Sequence, residues 1–132
     1  MTQRVALVTG AMGGIGTAIC QELAKAGHKV VAAYHPVFDK PEEWGKAMAE
    51  AGFNDFITVA GDVSDYDSCV NLVAEAEAKA GPIDILVNNA GITRDKMFAR
   101  MELAQWNAVI STNLGSLFNM TKQVSSKMAE RG

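Results

Sequence analysis

The chain has 132 residues, 48% of them apolar and 20% charged, with a formal net charge of −3. That length suits one domain around a single core, and the composition is that of a globular protein rather than a disordered or fibrous one. No basic run or basic helix face could neutralise several phosphates together, which argues against nucleic acid as a partner. No stretch approaches the roughly 18 apolar residues of a membrane span, so no membrane is expected either.

The opening "MTQRVALV" is a short polar lead into a strand and lacks the long apolar run of a secretory signal. Cys20 and Cys69 have no Cys-x-x-Cys or Cys/His companions. Neither a disulfide nor a metal site is expected, and a reducing, cytoplasmic setting is.

In chain order, apolar runs alternate with stretches of helical period. "RVALVTG" reads as a strand, 15–27 as a helix, "HKVVAAY" as a second strand and 41–52 as a second helix. "DFITVAG", a helix over about 64–80, "IDILVNNAG" and a last helix from about 102 to the end complete the series. Pro41, Glu42 and Glu43 open the second helix and Gly52 closes it. Ser64 with Asp67 suits the start of the third, and Gly81-Pro82 its stop.

Strands of continuous Val, Ile, Leu and Ala are covered on both faces, which implies a parallel sheet between helices. Right-handed crossovers then give a doubly wound α/β layer structure. The expected fold is a Rossmann-type parallel sheet of about four strands and the long helix after them, one domain over 1–132.

"VTGAMGGIG" places four glycines between the first strand and the first helix. Gly10, Gly14 and Gly16 put backbone N–H groups and the positive end of a helix dipole at one spot, where an anion belongs. The spacing G-x-x-x-G-x-G departs from the G-x-G-x-x-G fingerprint, although a tight turn with close backbone approach has the same logic. A turn that serves only helix-on-strand packing is the competing reading.

Asp62 follows the third strand, at the sheet end where open parallel sheets bind ligands. It is placed to accept from an adenine amino group, or else it caps a turn. "NNAG", 88–91, joins two amide side chains to a small backbone, as a close-lying cofactor would need. Leu103, Trp106, Ile110, Leu114, Leu117, Thr121, Val124 and Met128 form an apolar stripe on the last helix, and Asn113 falls in it. A buried amide there bonds something specific, either a proton-relay partner or a neighbouring backbone.

"TGAMGGIG", "GDV", "NNAGITRD" and "STNLGSLFN" occur in the order and at the spacing of the short-chain dehydrogenase/reductase family, which the whole chain resembles. Within it, the motifs are most similar to reductases of 3-oxoacyl thioesters, those acting on acetoacetyl-CoA in polyhydroxybutyrate synthesis ahead of those acting on acyl carrier protein thioesters. The resemblance implies that Gly10, Met12, Gly13, Gly14, Ile15 and Gly16 turn over the cofactor pyrophosphate. Asp62 and Val63 would hold the adenine, and Asn89, Ala90 and Gly91 the nicotinamide-ribose side. It implies that Asn113 joins a Ser, a Tyr and a Lys in a proton relay, that Asp95 faces an acyl-CoA substrate, and that the last helix packs on its copy in a homo-oligomer.

An NAD site should end its second strand with an acid for the ribose 2′-hydroxyl. This strand ends Ala33-Tyr34-His35-Pro36, which favours NADPH over NADH, with Lys40 as the cation for the 2′-phosphate. The family's Tyr and Lys stand four residues apart, whereas Tyr34 is followed at that distance by Phe38 and Tyr66 by Val70. The expectation is therefore a cofactor-binding N-terminal half that does little chemistry alone. A non-catalytic nucleotide-binding module stays open beside it. "IDILV" is expected to be a bare, association-prone edge.

Overall fold

A computed structural model describes residues 3–132. Four parallel strands, β1 (Val5–Val8), β2 (Lys29–Tyr34), β3 (Ile57–Ala60) and β4 (Ile85–Val87), form one sheet in the order β3-β2-β1-β4. Leu7 stands opposite Val31 on one side and Leu86 on the other. The helices are α1 (Gly14–Lys25), α2 (Pro41–Glu50), α3 (Tyr66–Ala80), α4 (Leu103–Val109) and α5 (Ser116–Arg131).

Strand alternation divides the core into two layers. Val5, Leu7, Val31, Ala33 and Val59 pack with Leu72, Val73 and Ala76 of α3 and with Met120 and Val124 of α5. Val8, Val30 and Ala32 pack on the other face with Cys20 of α1 and Trp44 and Met48 of α2. This is the doubly wound arrangement, with the strand order reversing between β1 and β4. Fully burying a side chain such as Leu7 or Leu72 is worth about 1.5–3 kcal/mol.

Two boundaries differ from the sequence reading. The third helix is capped by Asp65, whose carboxylate accepts from the Ser68 N–H at 3.0 Å; Ser64 is instead drawn to Asp62. The last helix is not continuous, because Ile110–Gly115 forms a π-helical turn between α4 and α5. An extra residue in a turn rotates the helical phase by roughly 100°, so the two ends of the expected stripe do not share a face.

The buried line is Ser116, Met120 and Val124. Leu103, Trp106, Ile110, Leu114 and Leu117 are exposed. Asn113, expected to be buried in that stripe, is exposed as well.

The helix α5 is held to α3 and to the segment before β4 by polar contacts as well as by its core side chains. Lys127 pairs with Glu77 of α3 at 3.0 Å. The Arg131 guanidinium donates to the Ile83 carbonyl, beside Asp84, whose carboxylate accepts from the Val5 N–H at 2.9 Å. Among the described residues β4 pairs only with β1.

Candidate functional site

At the carboxyl ends of the strands lies a cleft of about 860 Å³, within the range of small-molecule and cofactor sites. The glycine turn after β1 forms its floor, and the segments after β2, β3 and β4 form its walls. Ser111 and Thr112 of the π-helical turn close one side.

The glycines of the turn do different work. Gly10 has a φ of +60°, and a Cβ on it would lie 2.8 Å from the Ala90 Cα. A Cβ on Gly16 would lie 2.0 Å from the Gly10 carbonyl oxygen. These two are required by the turn itself.

Gly13 and Gly14 are exposed, and a Cβ on Gly14 would meet nothing within 4 Å. Packing does not need them bare. The first turn of α1, for which Gly13 is the N-cap, receives no side-chain cap. Its N–H groups therefore face the cleft beside a backbone stripped of side chains, which fits the phosphates of a dinucleotide.

Thr9, which the sequence reading did not single out, ties the turn to the segment after β4. Its hydroxyl accepts from the N–H groups of Asn89 and Ala90, both at 3.0 Å. The Asn89 side chain returns the tie, donating to the carbonyls of Thr9 at 3.2 Å and Gly10 at 3.1 Å. The Asn88 amide goes elsewhere, to the Thr121 hydroxyl at 3.2 Å. One Thr at a strand end gives no sequence signal that separates it from an ordinary strand residue.

Asp62 and Val63 line the cleft with Ser64. The Asp62 Oδ1 accepts from both the N–H and the hydroxyl of Ser64, at 3.0 and 2.6 Å. Half of its carboxylate thus serves the turn.

Gly10, Gly13, Gly14, Ile15, Gly16, Asn89, Ala90 and Gly91 also line the cleft. Met12, Lys40, Asp95 and Asn113 do not. The Met12 side chain packs against the core layer beneath α1 and α2. Lys40 is exposed just before α2, and Asp95 lies on the exposed loop that follows β4.

Asn113 acts from behind the wall of the cleft. Its Oδ1 accepts from the Ile92 N–H at 2.7 Å, and its Nδ2 donates to the Ile92 carbonyl at 2.8 Å. Of the two expectations for this residue, the tie to a neighbouring backbone is the one its contacts display. His35, Phe38 and Asp39 line the cleft after β2 without having been singled out.

Both thiols lie outside the cleft lining and are buried and free. Burial pushes Cys20 up to about 12. Burial first, then the charges of Asp62 and Asp65, pushes Cys69 up to about 11. Among the described residues no group of three or more His, Cys, Asp or Glu could hold a metal ion. No helix there is long and apolar enough to cross a membrane.

A doubly wound parallel sheet with a glycine turn under a cleft at its switch point has the layout of a dinucleotide-binding protein. The family model for short chain dehydrogenase matches residues 4–132, and the chain belongs to that family. Nodulation protein G of Azospirillum brasilense is 61% identical over 132 residues, all of this chain and 53% of that protein. An acetoacetyl-CoA reductase of Cupriavidus necator is 54% identical over the same length, again 53% of its own.

Among solved structures, a short-chain dehydrogenase from Novosphingobium aromaticivorans superimposes with a TM-score of 0.87 at 27% identity, covering 97% of this chain and 46% of the other. A doubly substituted Serratia marcescens short-chain dehydrogenase/reductase gives 0.82 at 30%, covering 95% and 51%. The chain thus spans about half the length of these relatives.

Proposed function

We propose that this chain is the cofactor-binding half of an NADPH-dependent reductase that converts acetoacetyl-CoA to 3-hydroxybutyryl-CoA, the monomer thioester of polyhydroxybutyrate. The observation that carries this reading is the pair Gly13 and Gly14, bare without a packing reason, at the uncapped start of α1. Backbone there is open to a pyrophosphate, with Gly10, Ile15 and Gly16 completing the turn. The likeness to acetoacetyl-CoA reductases supports the substrate class.

In this reading Asp62 keeps its second carboxylate oxygen for the adenine amino group, and Val63 supplies the apolar contact. Asn89, Ala90 and Gly91 lie along the nicotinamide-ribose side, where the bound nicotinamide supplies the hydride. Asn113 holds the wall formed by Gly91 and Ile92, and through it the place of the reacting carbonyl. Asp95 and its loop face the acyl-CoA.

The choice of NADPH is supported by the end of β2, which carries no carboxylate, and Lys40 adds positive charge nearby. Reduction of a ketone also needs a proton donor for the developing alkoxide. No Tyr in the sequence is followed four residues on by a Lys, so the 132 residues alone bind cofactor without turning it over. The exposed apolar residues of α4 and α5 form a face for a second copy. Two free buried thiols suit a reducing compartment such as the cytoplasm.

Fluorescence titration with NADPH and NADH, followed by addition of acetoacetyl-CoA, tests the reading. Binding that favours NADPH, without loss of reduced cofactor, is expected. Failure to bind either nucleotide overturns the cofactor half, and turnover overturns the account of the proton donor.

A further inference from the structure

The turn after β2 holds a histidine whose ring is fixed at one nitrogen and on one face. The His35 Nδ1 accepts from the N–H groups of Val37 at 3.1 Å and Phe38 at 3.4 Å. The Phe38 ring stacks on the imidazole, with centroids 4.4 Å apart and planes inclined by 28°. An Nδ1 that accepts N–H bonds carries no proton, so the hydrogen-bond pattern assigns the neutral ring's proton to Nε2. Among the described residues Nε2 has no protein partner, and His35 lines the cleft.

The one carboxylate in this turn is engaged through one of its two oxygens. The Asp39 Oδ2 accepts from the His35 N–H at 2.8 Å, and the Asp39 N–H donates to the His35 carbonyl at 3.2 Å. An NAD site needs an acceptor for the ribose 2′-hydroxyl at the end of this strand. Here one oxygen of the carboxylate closes its own turn, and His35, with an N–H donor to offer, lines the same wall of the cleft. A donor suits a phosphate, whose oxygens only accept when ionised.

We propose that His35 is the residue that reads the 2′ position of the cofactor's adenosine, donating from Nε2 to the 2′-phosphate, and that Asp39 is a positioning residue that fixes the turn presenting it. This rests on the NADPH reading above and replaces Lys40 as the directional contact. Lys40 contributes charge at a distance and no defined bond.

The test uses 2′,5′-ADP and 5′-AMP as probes in calorimetric titrations, which isolate the adenosine end from any chemistry. The unsubstituted chain should prefer 2′,5′-ADP by at least about tenfold, the scale of one bond to a charged group. His35→Ala, and His35→Phe, which keeps a stackable ring, should lose most of that preference by weakening 2′,5′-ADP, with 5′-AMP changed less than about twofold. Asp39→Asn keeps an acceptor and should retain the preference, whereas Asp39→Ala should lower it.

Circular dichroism checks that each variant folds, and of the two His35 substitutions the folded one decides. A preference that survives in folded His35→Phe or His35→Ala, or that Lys40→Ala alone abolishes, overturns the assignment of His35. An unsubstituted chain that binds both probes equally overturns the NADPH reading, and one that binds neither overturns the cofactor site itself.

Discussion

The amide nitrogen of Asn89 lies 3.1 Å from the carbonyl oxygen of Gly10, so a side chain that follows β4 holds the turn that follows β1. Two carbonyls of a partly buried turn accept from this one amide, and the Gly10 carbonyl accepts from the Gly13 N–H at 3.3 Å as well. Asn89→Ala removes this donor from the Thr9 carbonyl and leaves the Gly10 carbonyl only its bond from Gly13, which should cost about 1–3 kcal/mol. The expected outcome is a melting temperature lower by several degrees together with weaker NADPH binding. An unchanged melt with weakened binding would make Asn89 a ligand contact alone.

The glycines of the turn should separate stability from binding. Gly16→Ala drives a Cβ into the Gly10 carbonyl oxygen, an overpacking worth about 1–3 kcal/mol or more. Gly14→Ala meets open space and occupies the first position of α1, so stability should hold or rise by up to about 1 kcal/mol. Cofactor affinity should nevertheless fall at least about tenfold, because the methyl group stands where phosphate approaches. Denaturant melts and nucleotide titrations of the two variants check both halves of the statement.

The order of strands and helices was legible because each strand is a continuous apolar run and each helix carries its own stop, such as Gly52 or Gly81-Pro82. The glycine turn and the placement of Asp62 and Asn89 at strand ends were legible for the same reason: parallel topology sends all those ends to one side.

What the sequence did not display depends on which partner a polar group chooses. Asn89 reads as a ligand amide and spends its donors on Thr9 and Gly10. Asn113 reads as buried, yet the π-helical turn leaves it exposed and bonded to Ile92. His35 reads only as part of a strand end without an acid, and Asp39 carries no signal of its own, until their mutual bonds are seen.

Exposed apolar side chains run from α4 through the π-helical turn into α5. Leu103 is 73% exposed, Leu114 61% and Phe118 63%; several exposed large apolar side chains on one segment suit a contact surface. Phe118 stacks with Tyr66 of α3, ring centroids 6.1 Å apart, and so extends the patch onto a second helix. If a second copy covers this face, Leu114→Glu with Phe118→Glu should convert a concentration-dependent dimer to a monomer in sedimentation equilibrium. The fold should be unaffected, since neither side chain is part of the core. A chain that is monomeric before substitution would remove the proposed homo-oligomer.

Stability should fall on the alkaline side through the two buried thiols. Cys20 is raised from 9.0 to about 12 by burial, and Cys69 from 9.0 to about 11 by burial and then by Asp62 and Asp65. A raised native value means that the unfolded chain gives up its thiol proton first as pH climbs. Below about pH 9 both states keep the proton, and the full contribution of each thiol is present. Above it the contribution drains away until the native value is reached, by about 1.4 kcal/mol per pH unit for each thiol. Urea melts at pH 8, 9 and 10 should therefore show a steeper loss for the unsubstituted chain than for Cys20→Ala, whatever the two differ by at pH 8. The two chains differ only at this side chain, so the difference in slope isolates the thiol. Equal slopes would mean that Cys20 ionises in the native state as readily as in the unfolded one, and with it that the layer between β1, α1 and α2 admits water.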